Sequence, residues 1–313
     1  MTKTTYQSRH FDMSKIKNCL VILLFSIITI ILLFNQNVLR KSINNSLRMC
    51  LSSIVPSIFP FMILSDFLIG NLKSSKDSRF CKWFEKLFSM NESGMLPFIL
   101  GNICGFPLGA KSAIDLYKNG SLTKEECERL IGFANNPSLA FVISGVGMGM
   151  RGSVTEGVLL YCVILISSFI LGISTRSKNN ISSKPGNISK QNFSIVSSIK
   201  NSTIAIIYVC SYIIFFSFIA DIAIKYLNAP LVSALFISFL EIGTATNYIA
   251  GNIINETLSL SLTAFALAFS GLSVYLQTLS FAPSEIKKGK CLVMKMCQGF
   301  VAFTITLILK LLL

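Results

Sequence analysis

Charge is what this chain has least of. Only 13% of its 313 residues are Asp, Glu, Lys or Arg, against 52% hydrophobic. A soluble domain carries about 25% charge, so the deficit points to an integral membrane protein. Histidine is nearly missing: the single His10 lies in a polar tail, which excludes a histidine metal site or histidine proton relay. No C-x-x-C pair exists among nine cysteines scattered from Cys19 to Cys297, and most fall in apolar segments. They read as small buried hydrophobes, not as a disulfide or metal framework. A Gly-Lys-Ser/Thr phosphate loop, HExxH, G-x-S-x-G and a carboxylate pair on one helix face are also missing, so no enzyme signature and no bound cofactor is expected.

Acidic residues are scarce too, 14 against 28 Lys and Arg, for a formal charge of +14. Placement explains the excess better than nucleic-acid binding does. With the amino terminus inside, the segments expected on the inner face hold 22 of the 28 basic residues: the tail, 71–94, 111–130, 174–200 and 285–295. That is the positive-inside bias, and no nucleic-acid partner follows from it.

What is present in quantity is long apolar sequence. LVILLFSIITIILLF (20–34) has no small-x-small cleavage site after it, so an uncleaved first span is expected over 19–35. Further spans are expected near 50–70, 155–172, 202–222 and 291–311. KWFEKLF (82–88) reads as an interfacial helix laying Trp83, Phe84 and Phe88 on lipid. Asp66 and Asp221 read as interfacial, Asp221 pairing with Lys225.

Four apolar stretches are interrupted where a membrane helix should continue. ICGFPLGAK (103–111) lies in a segment whose two arms are each about ten residues, roughly 15 Å of helix, half of a hydrocarbon core. Such a segment fits a re-entrant hairpin. Thr123 with Glu126 offers a capping box, and the helix it opens breaks at Asn135–Asn136–Pro137. In the second half the breaks fall at Glu241–Gly243–Thr244 and at Ser270–Gly271–Leu272–Ser273. The chain thus divides into a tail and first span (1–36), a first repeat (37–172), a polar linker (173–194) and a second repeat (195–313). SINNS (42–46) and SIKNS (198–202) match, and Ile-Phe follows at 58–59 and 214–215. Three net crossings per half make the second half inverted.

Free backbone groups inside a bilayer are costly, so breaks are tolerated only where protein or a water-filled cavity surrounds them. Pro107 and Pro137 stand where the distal half-helices should start, and two helix starts aimed at one cavity make an anion site. The tip residues Gly105, Phe106, Pro107 and Gly109 are candidate substrate contacts. Lys111 either faces an anionic group, pairs with Asp115 or snorkels to the inner face. Glu241 binds a coupling cation, carries a proton, bonds substrate or caps its own break. Asn135, Asn136, Thr244, Asn247, Ser273 and Gln277 supply neutral donors and acceptors, with helix capping as the plainer role of each.

GFPLGAK, SLTKEECERL and FANNPSLAFVISGVGMG, followed by FLEIGT and GLSVYLQTLSF, resemble the YlbJ (SpoVV) family of sporulation integral membrane proteins from about residue 45 onward. That family belongs with the nucleoside-recognition, or Gate domain, membrane proteins and is similar to concentrative nucleoside transporters. The resemblance implies an all-α polytopic fold of two inverted repeats, each with a re-entrant hairpin and a broken helix. It also implies a role in endospore formation: dipicolinic acid carried by alternating access across the outer forespore membrane. By analogy Glu241, Asn247, Ser273 and Gln277 lie near the substrate. The first tip carries no carboxylate, unlike that of the nucleoside transporters, which argues against a nucleoside. Gly243–Thr244–Ala245–Thr246 lacks a second glycine expected there. Coupling to H⁺ or Na⁺, homo-oligomerisation, another organic solute and a non-transporting role in envelope assembly all stay open at this stage.

Overall fold

The computed structural model describes residues 13–71, 79–176 and 194–312, and among them every regular element is helical. Residues 1–12 of the basic tail and most of the 173–194 linker lie outside the described residues. Helix α1 (Met13–Phe34) turns apolar side chains such as Phe25 and Phe34 outward. Helix α2 (Gln36–Met49) leads through one π-helical turn (Cys50–Ile54) into α3 (Val55–Asn71). Pro56 has no N–H to give the Ser52 carbonyl, and its ring would crowd that oxygen in a tight turn. The widened turn, in which Val55 N–H reaches Cys50 O, relieves the conflict.

This rod pairs with α9 (Ile195–Tyr226), which is 32 residues, roughly 48 Å, long. The pairing is antiparallel: Asn35 bonds the Tyr226 hydroxyl (3.0 Å) at one end and Asn201 bonds Asp66 (3.3 Å) at the other. Ser42, Ser46, Ser198 and Ser202 are all buried, so the two matched pentapeptides place small residues where the rods approach. Lys225 donates to Asn35 Oδ1 (2.6 Å), a partner the sequence did not suggest.

Between these rods lie α4 (Arg79–Phe88), α5 (Met95–Ile103), α6 (Leu108–Lys118), α7 (Lys124–Phe133), a helical stretch with π-type bonding ending in Phe141–Met150, and α8 (Val154–Ser174). The second half continues with α10 (Pro230–Leu240), α11 (Ile242–Asn252), α12 (Glu256–Phe269), α13 (Gly271–Leu279) and α14 (Lys288–Leu312). Four helices among the described residues are long and apolar enough to cross a membrane: α8, α9, α14 and the α12–α13 pair. The last is the most enclosed of the four, as a central element should be.

One expectation about the surface is corrected. α4 keeps Trp83 exposed, but Phe84 and Phe88 are buried, stacking with Phe98, Phe133 and Phe169. Two aromatic rings one turn apart pack against aromatic rings of three neighbouring helices, α5, α7 and α8, so this face turns inward. The capping box at α7 forms as read: Thr123 Oγ1 accepts from Glu126 N–H, and Glu126 Oε2 accepts from Thr123 N–H at 2.9 Å.

Candidate functional site

All four interruptions anticipated in the sequence are real. α5 and α6 pack side by side around the turn 104–107, and Pro107 stands just ahead of α6. α7 ends at Phe133 and residues 135–138 are non-helical. Glu241 is extended (φ −150°) between α10 and α11, and Ser270 adopts φ 74° between α12 and α13.

The breaks cross in pairs. At Gly105 (φ 85°) a Cβ would stand 2.4 Å from Ser138 N, so the first hairpin turn lies directly on the first broken helix. At Gly271 (φ 71°) a Cβ would stand 2.9 Å from Leu240 O, so the second pair crosses the same way. Glycine at these two points supplies both the left-handed backbone and the clearance.

Where the two crossings face one another is a cavity of about 370 Å³. Phe106 enters from the first turn, Ser138 and Ser144 from the first broken helix, Glu241 and Gly243 from the second turn, and Ser273 and Gln277 from α13. Met49 and Ile58 from the first rod and Val209 and Ile213, halfway along α9, close one side together. Of the twelve candidate contacts, Phe106, Glu241, Ser273 and Gln277 therefore line one space.

The other eight do not line it, for reasons visible in their contacts. Gly105 and Gly109 are packing points of backbone on backbone, and Pro107 is buried. Asn135 Nδ2 donates to Thr278 Oγ1 (3.0 Å), and its Oδ1 accepts from Ala110 N (3.4 Å). Asn136 is bonded to Asn102, Phe133, Lys295 and Gln298. Thr244 gives its backbone N–H to Glu241, and Asn247 is exposed on the far side of α11. Lys111 is spent on an ion pair. Its Nζ lies 2.6 Å from Asp66 Oδ1 and 2.9 Å from Asp115 Oδ2, with Asp66 itself buried. Asp66 is thus buried and ion-paired, and Lys111 holds α6 to α3.

Removing one member of a buried pair strands the other charge, at a cost of about 3–5 kcal/mol. Lys111→Met is therefore expected to lower the melting temperature sharply. Asp115→Asn, at a side chain that is 27% exposed, should cost far less. Thermal unfolding of the two variants in detergent checks the order.

Capping decides which helix start is free. The start of α6 faces Asn135 Oδ1, the helix entering 141–150 is capped by Ser138 Oγ to Phe141 N (3.2 Å), and α11 is capped by Glu241. That carboxylate accepts from Gly243 N (2.8 Å) and Thr244 N (2.6 Å). Of the four helix starts at the breaks, only that of α13 has, among the described residues, neither a side-chain cap bond from its N-cap residue, Ser270, nor another side chain bonded to its first turn. On this same helix, one turn apart, Ser273 Oγ and Gln277 Nε2 are buried with no hydrogen-bond partner. The anion site expected from the starts after Pro107 and Pro137 is thus already filled by protein oxygens. The unfilled start lies in the other half.

Two residues behind the cavity were not picked out by sequence. Lys295 and Gln298 are buried on α14 beside the Asn135–Asn136 break. Lys295, Lys111 and Arg129 all fall in segments that the charge pattern assigns to the inner face, and the structure buries all three. The position of Lys295 within CLVMKMCQGF (291–300) was the available signal, since an ionisable group in an apolar run is functional by default.

The chain is a multi-pass integral membrane protein whose core is built from interrupted helices. It is 25% identical over 167 residues to the sporulation integral membrane protein YlbJ of Bacillus subtilis (strain 168). The match takes in 53% of this chain and 41% of that protein, so it spans less than half the relative's length. No family model and no solved structure matches the chain.

Proposed function

We propose that this protein is a sporulation membrane carrier that moves a small carboxylated solute, dipicolinate being the best fit, by alternating access around the central cavity. The observation that carries the reading is the open start of α13. Ser273 and Gln277, whose hydroxyl and amide nitrogen have no partner, stand on the wall of one cavity, on a helix whose N-cap residue makes no side-chain bond. Buried donors without partners are rare and costly, and a helix start with added donors is a ready anion site. One carboxylate of a small aromatic diacid satisfies all of them, and its ring meets Phe106, Ile58 and Ile213. A volume of about 370 Å³ falls in the range, about 300–1,000 Å³, of small-molecule pockets.

The inverted-repeat architecture is part of the same proposal. The return arm of the first hairpin, α6, meets α3 through Lys111 and Asp66, toward the Asn201 end of α9. The second hairpin begins four residues beyond Tyr226, on the opposite side. Two hairpins entering from opposite ends and touching one cavity at mid-length are what re-entrant elements of an inverted pair require. Glu241 sets a carboxyl group close to the solute's own on the cavity wall, and movement of a proton together with the solute is part of the proposal. The name of the YlbJ relative supports placement in a sporulating cell, and the outer forespore membrane as its location is part of the proposal.

Liposomes containing the purified protein are expected to take up labelled dipicolinate saturably, with little competition from nucleosides. Competition by nucleosides would make it a nucleoside carrier, and no flux with either solute would favour a structural part in envelope assembly.

A further inference from the structure

The two broken helices are finished differently. Around the second break two donors are left unpartnered, whereas around the first the carbonyls of Phe133, Asn135 and Asn136 are each occupied. Phe133 O accepts from Asn136 Nδ2 (2.9 Å) and Ser168 Oγ (2.6 Å), and Asn136 O accepts from Phe106 N (2.8 Å). Asn135 O accepts from the Lys295 ammonium (2.8 Å).

Lys295, like the buried Arg129, which donates to the carbonyls of Phe88, Ser89 and Gly172, is bonded to neutral oxygens only. Lys111 has two carboxylates, but Lys295 has none among its partners. Its Nζ donates to Asn135 O, to Asn136 Oδ1 (3.2 Å) and to Gln298 Oε1 (2.8 Å), all neutral oxygens. Those oxygens are held in turn: Gln298 Nε2 donates to Asn136 Oδ1 (2.8 Å), and Asn136 Nδ2 donates to Asn102 Oδ1 (2.9 Å). The cluster sits just beyond Phe133, where α7 ends and its dipole presents the negative pole. Neutral oxygens, fixed in place at the C-terminal end of a half-helix, are the surroundings that hold a monovalent cation inside a membrane.

We propose that Asn135 O, Asn136 Oδ1 and Gln298 Oε1 form a monovalent-cation site in which the Lys295 ammonium is a tethered occupant. An alkali-metal or small alkylammonium ion takes the site once that ammonium is removed. The protein therefore carries its own cation at the first break and needs none from solution there. This inference stands apart from the choice of solute, because its readout is stability.

The test is thermal unfolding of detergent-purified protein at constant ionic strength in choline, sodium or methylammonium chloride. Wild type should melt at the same temperature in all three. Lys295→Ala should melt several degrees lower in choline. Methylammonium or sodium should then restore more than half of the loss with saturable dependence, and the two salts show which ion the vacated site prefers. Adding Asn136→Ala to Lys295→Ala should abolish the restoration. A Lys295→Ala protein that melts like wild type, or melts low in all three salts, overturns the proposal. If the alanine variant gives no folded protein, Lys295→Gln, which keeps the bulk and removes the charge, is measured instead. Equal melting of that variant in choline, sodium and methylammonium, or its failure to fold with methylammonium present, counts against the site.

Discussion

Gln277→Leu is expected to weaken dipicolinate transport by about tenfold to a hundredfold while making the solute-free protein no less stable. The two effects share one cause. Gln277 Nε2 is buried and has no hydrogen-bond partner, so the free protein already bears the cost of a desolvated donor. Leucine has nearly the same volume and removes that donor; relieving an unsatisfied buried polar group is worth about 1–3 kcal/mol. In the loaded protein the amide meets a carboxylate, and a hydrogen bond to a charged group contributes about 1.5–3 kcal/mol. Each 1.4 kcal/mol is tenfold in affinity, which sets the expected loss. Ser273→Ala, one turn earlier, should act the same way to a smaller extent. Flux in liposomes gives the half-saturation concentration, and unfolding in detergent gives the stability. A Gln277→Leu protein that transports normally removes α13 from the binding site; one that is strongly destabilised shows that the amide has a structural partner after all.

Gly101→Val is expected to leave no folded protein. A Cβ at this point would lie 1.9 Å from Ala134 O and 2.8 Å from Gly109 Cα. Both obstacles are backbone, and they belong to the end of α7 and to α6, so neither can swing aside as a side chain would. Ordinary overpacking costs about 1–3 kcal/mol because rotamers and backbone share the strain. Here relief means prying α5 away from two helices at once, which also pulls Gly105 off Ser138 and opens the first crossing. Gly251, in α11, is the contrasting case: nothing lies within 4 Å of its Cβ direction. Gly251→Ala should be neutral or gain about 0.5–1 kcal/mol from reduced backbone freedom. Yield of monodisperse protein and its melting temperature separate the two variants.

The places where the helices stop were legible because proline and glycine act locally. Pro107, Pro137, Glu241 and Ser270–Gly271 each mark a break that the backbone shows. Thr123 and Glu126 are three residues apart and cap α7 as their spacing requires. The directions of side chains at those breaks were not legible. Lys111 read equally well as a ligand or as a partner of Asp115. Asp66, 45 residues earlier in the chain, adds the second carboxylate that settles its role. Asn247 lies six residues from Glu241, yet it comes out on the opposite face of α11, exposed.

Alone, the sequence determined that the chain is a helical membrane protein, that it is interrupted in four places, and which polar groups stand at those interruptions. Hydropathy and backbone chemistry act over a few residues and need no knowledge of the partner helix. Tertiary structure decided which interruptions meet, which helix start is left uncapped and that Lys295 holds the first break without a counter-charge. Those outcomes depend on contacts between elements up to about 160 residues apart, such as Lys295 with Asn135. The sum of many such approaches sets the direction of each buried donor, and no local pattern encodes it.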